Sequence, residues 1–480
     1  MAKKRTSRRR RSAPKWRVER DSMGKMRVPS WGLWGASTQR AKDNFPVSDR
    51  VVPVEVVHAF GLLKEACARA NMDLKRISGP KGRAIVRASQ AVAQGELDEH
   101  FVVDVFQTGS GTSTNMNANE VIANYASLEA GEEIGSKRPV HPNDHVNMGQ
   151  SSNDTFPTAM HVAAAVAIAE TLKPALGRMH AELTAKAEEW DEITKIGRTH
   201  LMDATPIRVG QVFGGYAEQV AKSIERCDVA LDALSELAIG GTAVGTGINT
   251  HPQFSKKVCA QLSKMTGLKF REANNHPEAQ AAKDAYVETS ATLRTIAVSM
   301  SKIANDIRWL GSGPRCGLGE LSLPATQPGS SIMPGKVNPV MCESLVQVCA
   351  RVIGNDLAVT FGGFGGVGSI LELNVAMPMM ADAVHESIKL LSNGADVFTE
   401  KLLKDLEVNV KHTEGLIEGS LMIVTSLAPV IGYDQAAAVA KEAHKKGKTI
   451  REIVLAQELL DEAELDRLLD FPAMTKPSRK

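Results

Sequence analysis

Apolar residues recur at intervals of three and four through AMHVAAAVAIAETLKPALGRMHAELTAKAEEW (159–190), the period of a helix that buries one stripe. Pro174 lies inside this run and predicts a kink, because proline lacks the N–H that the helical ladder needs. The stretches 207–238, 283–310, 340–360 and 379–404 carry the same period over comparable lengths. Strand alternation is scarce between them, so the pattern predicts a mainly α fold around a bundle of long helices. Several are apolar on more than one side, as in LRTIAVSMSKIA (293–304), more surface than one copy is expected to bury. Homo-oligomerisation is the consequent expectation.

From 51 to 107 the pattern is of shorter helices broken by turn signals, Ser78-Gly79-Pro80 and Gln94-Gly95. Residues 108–155 turn polar and rich in Gly, Asn, Ser and Thr, and after about 410 the helices shorten again. The expected division is a mixed helical domain over 18–150, a central bundle over 151–410 and a small helical domain over 411–480. Residues 1–17 stand apart as a basic arm: they hold nine of the 57 basic residues and none of the 55 acids, so 48 cations face 55 acids in the remainder. Such an arm is expected to be solvated and to bind polyanions nonspecifically at most.

Composition fits this picture: 43% apolar and 23% charged residues are globular values, and aromatics at 4% favour helices over sheets. No run of 18 apolar residues occurs, so no membrane span is expected. Six cysteines, Cys67, Cys227, Cys259, Cys316, Cys342 and Cys349, are scattered without a C-x-x-C pair and read as free thiols of a cytoplasmic protein.

Four polar clusters interrupt the helices: TGSGTSTNMN (108–117), HPNDHVNMGQSSND (141–154), GRTHLMDATP (197–206) and GSSIMPGKVNPV (329–340). Hydroxyls, amides and a single lysine suit the gripping of carboxylates, since neutral donors bind the oxygens and the lysine supplies the compensating charge. Ordinary helix capping and turns use the same residue types, so each cluster alone is weak evidence. His141 and His145 are four apart, a metal-ligand spacing only on a helix, and Pro142-Asn143 argues against a helix there. The glycine tracts GGTAVGTGIN (240–249) and GGFGGVG (362–368) lack the spacing of a nucleotide loop. His200 sits among hydroxyls, and a histidine ordinarily titrates near neutrality, which suits proton transfer.

Taken in order, TGSGTSTNMNANEVIAN, HPNDHVN, QSSNDTFPTAMH, KIGRTHLMDATP, GGTAVGTGINTHP, SGPRCG and GSSIMPGKVNP resemble the segments of the fumarase/aspartase superfamily, and specifically of class II, iron-free fumarases, from about Val28 to Leu469. The resemblance implies three domains, a homotetramer whose active sites draw on three subunits, no metal or other cofactor, and reversible hydration of fumarate to (S)-malate. It implies Ser330 and His200 as the proton-transfer groups, with Glu343 of a neighbouring copy polarising His200. Ser110, Gly111, Thr112, Ser151, Ser152, Asn153, Thr199, Ser331, Lys336 and Asn338 would hold the small dicarboxylate. Which of Ser330 and His200 takes the carbon-bound proton is left open by the resemblance. Arg138, His141, Pro142, Asn143 and Asp144 resemble an accessory dicarboxylate site. Asn338-Pro339 reads as the cap and first residue of the next helix.

Aspartase is the nearest rival, an ammonia-releasing relative that resembles P-A-K-V-N where this chain has Pro334-Gly335-Lys336. Thr199-His200 favours hydration, because hydroxide leaves less readily than ammonia and needs an acid beside it. A non-catalytic polyanion-binding protein would lack Ser330, Lys336 or His200, and all three are present. The chain departs from the fumarase pattern at Met148, at the longer segment 361–374 and at Ala376-Met377.

Overall fold

The long apolar-periodic stretches fold as helices in a computed structural model that describes residues 16–477. After a hairpin of β1 (Trp16–Asp21) and β2 (Gly24–Pro29), helices α1 (Ala36–Asn44), α2 (Val54–Asp73), α3 (Gly79–Ala93) and α4 (Thr112–Glu129) follow. Next come α5 (Ser152–Ala167), α6 (Lys173–Glu189), the hairpin of β3 (Thr194–Thr199) and β4 (Met202–Arg208), and α7 (Val209–Leu234). The remaining long helices are α8 (Phe254–Thr266), α9 (Asp284–Leu310), α10 (Val340–Gly363) and α11 (Met377–Phe398), before the shorter C-terminal helices beginning at α12 (Val410–Gly419). Every sheet among the described residues has two strands, so the fold is mainly α.

Two details of the helices differ from the sequence pattern. The helix read over 159–190 starts earlier, at Ser152, because Ser151 and Asp154 form a capping box that fixes its start ahead of Pro157. Pro174 follows a π-turn, Ile168–Leu172, through which α5 runs on into α6. The run Ser152–Glu189 has the length and mean hydropathy of a membrane span, but 56% of that window is buried in the fold and its first turn carries candidate site residues.

Two compact units divide the chain. One comprises the residues up to Glu170 with Asp228–Thr292 and Gly354–Ile388; the other comprises Thr171–Cys227, Leu293–Ile353 and the chain from Lys389 onward. Their boundaries fall inside the long helices and not near 150 or 410, because a helix contributes packing along its whole length.

In the first unit α2 packs against α3, α5 and α8. Lys64 of α2 is fully buried there, and its ammonium donates to Asn115 Oδ1 (2.7 Å), Gln150 Oε1 (2.9 Å) and Asn147 Oδ1 (3.1 Å). A buried cation persists only with such partners. Asp154, also buried, accepts from the backbone N–H groups of Ser151 (2.9 Å), Thr242 (2.9 Å) and Gly240 (3.1 Å). Glu120, a third buried charge, accepts from the N–H groups of Gly35, Ser37 and Thr38 at the start of α1.

The N-terminal hairpin changes one expectation. Arg17, read as the end of the basic arm, is a strand residue whose guanidinium donates to the carbonyls of Gly32 (2.6 Å), Trp34 (2.6 Å) and Pro29 (2.7 Å) and to Glu19 (2.7 Å). The rest of the proposed arm, residues 1–15, lies outside the described residues, and with it the polyanion-binding expectation.

In the second unit Ile417, Ile423, Leu427, Val439, Ile450, Val454 and Leu465 form a C-terminal core that also takes in Ile196 of β3. Burying each such aliphatic side chain contributes about 1.5–3 kcal/mol. Cys67, Cys259, Cys342 and Cys349 are buried free thiols, and Cys316 is an exposed one.

Arg17 and Lys64 each carry a testable consequence. Arg17→Ala should lower the melting temperature by about 2–4 °C for each kcal/mol lost, with hydrogen bonds to a charged group worth about 1.5–3 kcal/mol. An unchanged melting curve would show the anchoring to be idle. Burial pushes the Lys64 ammonium from its ordinary 10.5 down to about 7, with Cys67 and Asp154 opposing the shift. Between those values the unfolded chain holds a proton that the folded chain has released, so this group adds stability as pH rises. Melting temperatures of the parent and Lys64→Met should therefore diverge between about pH 7 and 9, the parent gaining by up to about 1.4 kcal/mol per pH unit. Parallel curves are the outcome against it.

Candidate active site

Two helix starts converge with the first two polar clusters. Gly111 caps α4 with a left-handed backbone (φ 72°), and a Cβ there would meet the Phe156 ring at 2.0 Å, so only glycine fits. It offers no capping side chain of its own, and Gln107 Oε1 instead accepts from the Thr114 N–H (3.0 Å) and hydroxyl (2.8 Å) in the first turn. The Thr112 hydroxyl in the first turn of α4 lies 2.8 Å from Ser110 Oγ and 2.7 Å from Ser152 Oγ in the first turn of α5. Three hydroxyls thus form a chain at the positive ends of two helices, a neutral and well-oriented carboxylate grip. Asn153 stands beside Ser152 and donates its amide to the Ala243 carbonyl at 2.8 Å.

Not every expected ligand is free to bind. The Ser151 hydroxyl accepts from Asn153 N–H at 3.3 Å as the cap of α5. Asn115 and Asn117 point inward: Asn115 serves Lys64, and Asn117 spans the Val102 N–H and the His100 carbonyl. The glycine tract 240–249 does cradle an anion, but that anion is the chain's own Asp154.

The segment Pro142–Val146 forms one π-helical turn, contrary to the expectation that Pro142-Asn143 excludes helix there. His141 caps it, with Nδ1 accepting from the N–H groups of Asn143 (3.1 Å) and Asp144 (3.2 Å). Proline fits the turn's first position, where its missing N–H is not needed. His145 Nδ1 accepts from His141 N–H at 2.7 Å, and its Nε2 lies 2.9 Å from Lys81 Nζ. Burial lowers both imidazoles from their ordinary values. His141, Pro142 and Asn143 line a cavity of about 570 Å³ together with Lys137 and the tip of the β1–β2 hairpin. Arg138, by contrast, is exposed and 4.0 Å from Glu132. Among the described residues no cluster of three His, Cys, Asp or Glu side chains could hold a metal.

The other candidates belong to the second unit. Thr199 ends β3, and His200-Leu201 are the two central residues of the turn into β4, both left-handed (φ 57° and 62°). This is the arrangement of a two-residue hairpin turn that normally takes Asn-Gly. Holding two residues with Cβ atoms there costs about 1–2 kcal/mol each. The turn presents the His200 ring to solvent within this chain.

The fourth cluster is a closed loop. Asn338 donates its side-chain amide to the Gly329 carbonyl at 2.6 Å, so it ties the loop ends together instead of capping α10, which begins at Val340. Gly329 must be glycine, because a Cβ would lie 2.0 Å from the Lys336 carbonyl oxygen. Between these ends the Ser330 hydroxyl accepts from the N–H groups of Met333 (3.1 Å) and Ile332 (3.3 Å). Ser331, Lys336 and Glu343 are exposed. Within this unit and among the described residues, no hydrogen bond or ion pair joins His200 to Ser330 or Glu343.

Lys64, Asn147 and Gln150, which position the grip, were not among the candidates. The signal for Lys64 was present: it falls between Phe60, Leu63 and Cys67 on the apolar face of α2, where a solvated lysine does not belong. Nothing local marks Asn147 or Gln150.

Relatives agree with this assembly of segments. A family model described as lyase matches residues 24–354, and one described as fumarase C C-terminus matches 423–476. A fumarate hydratase class II from Corynebacterium glutamicum is 54% identical over 471 residues, 97% of this chain and 98% of that one. Its counterpart from Mycobacterium tuberculosis is 53% identical over 466 residues, 96% of each chain. A crystal structure of class II fumarase from Schistosoma mansoni shares the fold with a TM-score of 0.93 at 39% identity, covering 97% of this chain and 100% of that one. By sequence and by fold, the chain belongs to the class II fumarases of the fumarase/aspartase superfamily.

Proposed function

We propose that the chain interconverts fumarate and (S)-malate, as a cytoplasmic homotetramer whose sites combine residues of three copies. The observation that carries this reading is the Ser330 hydroxyl, which accepts two backbone N–H bonds inside a loop closed by Asn338. Donors aimed at an oxygen stabilise it as an anion, and a serine needs such help to act as a base.

In the dehydration direction Ser330 takes the proton from the methylene carbon. The electron pair moves into the adjacent carboxylate, giving an aci-carboxylate dianion that Lys336 and Asn338 hold. Collapse of that intermediate forms the double bond and expels the hydroxyl from the neighbouring carbon. His200, polarised by Glu343 of another copy, delivers the proton that lets it leave as water. Ser110, Thr112, Ser152, Asn153 and Thr199 fix the remaining oxygens, and Gly111 and Ser151 shape the two helix starts. Ser331 lies beside the base.

Two features support sharing between copies. His200 and Glu343 are exposed within one chain, although proton transfer to a leaving hydroxide is better served where bulk water is excluded. Apolar side chains on α10, among them Ile353, Leu357 and Phe361, are also exposed and call for a partner. The free thiols of Cys67, Cys259, Cys316, Cys342 and Cys349 support a reducing compartment. The segment about His141 to Asp144 serves as an accessory dicarboxylate site.

Purified protein should form fumarate from malate without added metal and should not form it from aspartate, as followed by the ultraviolet absorbance of fumarate. Ser330→Ala and His200→Asn should each lower kcat by about 10²–10⁴-fold. Fumarate from aspartate alone would replace hydration by ammonia elimination. Mixing those two inactive variants during refolding or co-expression should restore part of the parent activity, since some sites in hybrid tetramers regain both residues. Mixtures as inactive as their components would rule out sites shared in this way.

A further inference from the structure

The hairpin that carries Thr199 and His200 is weakly built for its task. Its base pairs in register (Thr194 with Arg208, Lys195 with Ile207, Ile196 with Pro206), but the register shifts at Gly197. A Cβ at Gly197 would lie 2.5 Å from the Thr205 carbonyl oxygen, so the irregularity is built around glycine. Beyond it only two pairs, Arg198 with Asp203 and Thr199 with Met202, hold the tip. Two pairs and a turn with both central residues left-handed make a marginal element. On one side the hairpin also borders a cavity of about 1060 Å³, whose walls include Thr199, Leu201, Tyr216 and Trp309. Packing on that side leaves it room to move.

We propose that Glu320 is the positioning residue for this turn. Its carboxylate, 1% exposed, accepts from Arg198 Nη1 on Oε1 at 2.5 Å, and its Oε2 forms an ion pair with Lys195 Nζ at 3.0 Å, an ammonium that donates to the Ile196 carbonyl at 2.6 Å. The two cations lie on either side of the shifted register, so one carboxylate bridges the point where the ladder is weakest. Arg198 directly precedes Thr199 and His200. Glu320 is itself fixed: its N–H donates to the Leu310 carbonyl (2.9 Å), and its carbonyl accepts from Asn409 N–H (2.8 Å) and the Thr413 hydroxyl (3.3 Å). The clamp thus refers the turn to the end of α9 and the start of α12. A slip of one residue in the tip would send Thr199 to the opposite face, and the clamp opposes that slip. Glu320 touches no reacting atom; it acts through Arg198 on the turn.

The activity readout rests on the hydration reading above, whereas the hairpin readout does not. In full-length Glu320→Gln, hydrogen exchange of the amides in 194–208 should quicken about tenfold or more relative to α2 and α3. Turnover of malate should fall about 100-fold, the scale expected when a reacting group is misplaced by an ångström. Lys195→Met removes one of the two cations that Glu320→Gln leaves without a carboxylate, so Lys195→Met/Glu320→Gln should regain melting temperature without regaining kcat. Recovery of kcat together with melting temperature would reduce Glu320 to a stability role and overturn the proposal, as would unchanged exchange in Glu320→Gln. Glu320→Asp, which keeps the charge, provides the same comparison if Glu320→Gln does not fold. A parent without malate turnover, combined with a loosened hairpin in Glu320→Gln, would sink the hydration reading and leave the clamp standing.

Discussion

The meeting of the two helix starts depends on one buried lysine. Lys64 draws the oxygens of Asn115, Asn147 and Gln150 around itself, and these residues belong to α4 and to the segment leading into α5. Withdrawn from water, the cation requires all of them, since a buried charge that loses a partner keeps its desolvation penalty. Its demand for partners keeps the starts of α4 and α5 together, and with them Ser110, Thr112 and Ser152. Asp154 completes the arrangement by fastening the start of α5 to the glycine tract at 240–242. The charges here are internal, and the groups that meet between the two helix starts are the neutral hydroxyls of Ser110, Thr112 and Ser152.

The second unit solves a different problem. The proposed proton-transfer groups, His200 and Ser330, stand on a turn and a loop instead of in a core. Backbone economy makes both possible: Gly329 admits the Lys336 carbonyl, Gly197 admits that of Thr205, and His200 and Leu201 accept left-handed conformations. Such elements have little packing of their own. Buried polar ties compensate for it, Asn338 closing the Ser330 loop and Glu320 bridging the hairpin. The departure at 361–374 follows the same economy: it folds as a small hairpin, Ser369–Ile370 against Leu373–Asn374, held by the buried Asn374 amide on the Gly362 carbonyl. It leaves Phe361, Phe364, Ile370 and Leu371 exposed.

The helices and the motifs of the site were legible in the sequence for local reasons. A helix declares its buried stripe through spacing alone, so 159–190, 207–238 and 283–310 were readable as helices. Segments such as GSSIMPGKVNP and GRTHL keep their chemistry in a few adjacent residues, and these also carried the family likeness. Local reading failed where two segments decide together. His141 Nδ1 stabilised a helical turn that Pro142 seemed to forbid; Asn338 reached back to Gly329 instead of capping α10.

The sequence by itself therefore determined the helical class, the polar loops between the helices and the identity of the groups fit for proton transfer, because those follow from periodicity and from functional groups carried on neighbouring residues. Only the tertiary structure decided which polar residues meet at the two helix starts and which serve the interior. Asn115 and Asn117 turn inward while Thr112 and Ser152 meet, and Glu320, far along the chain from Arg198 and Lys195, reaches both. The reason is desolvation: a buried charge or amide must find partners wherever the chain has brought them, and that choice is made across the fold and not along the sequence.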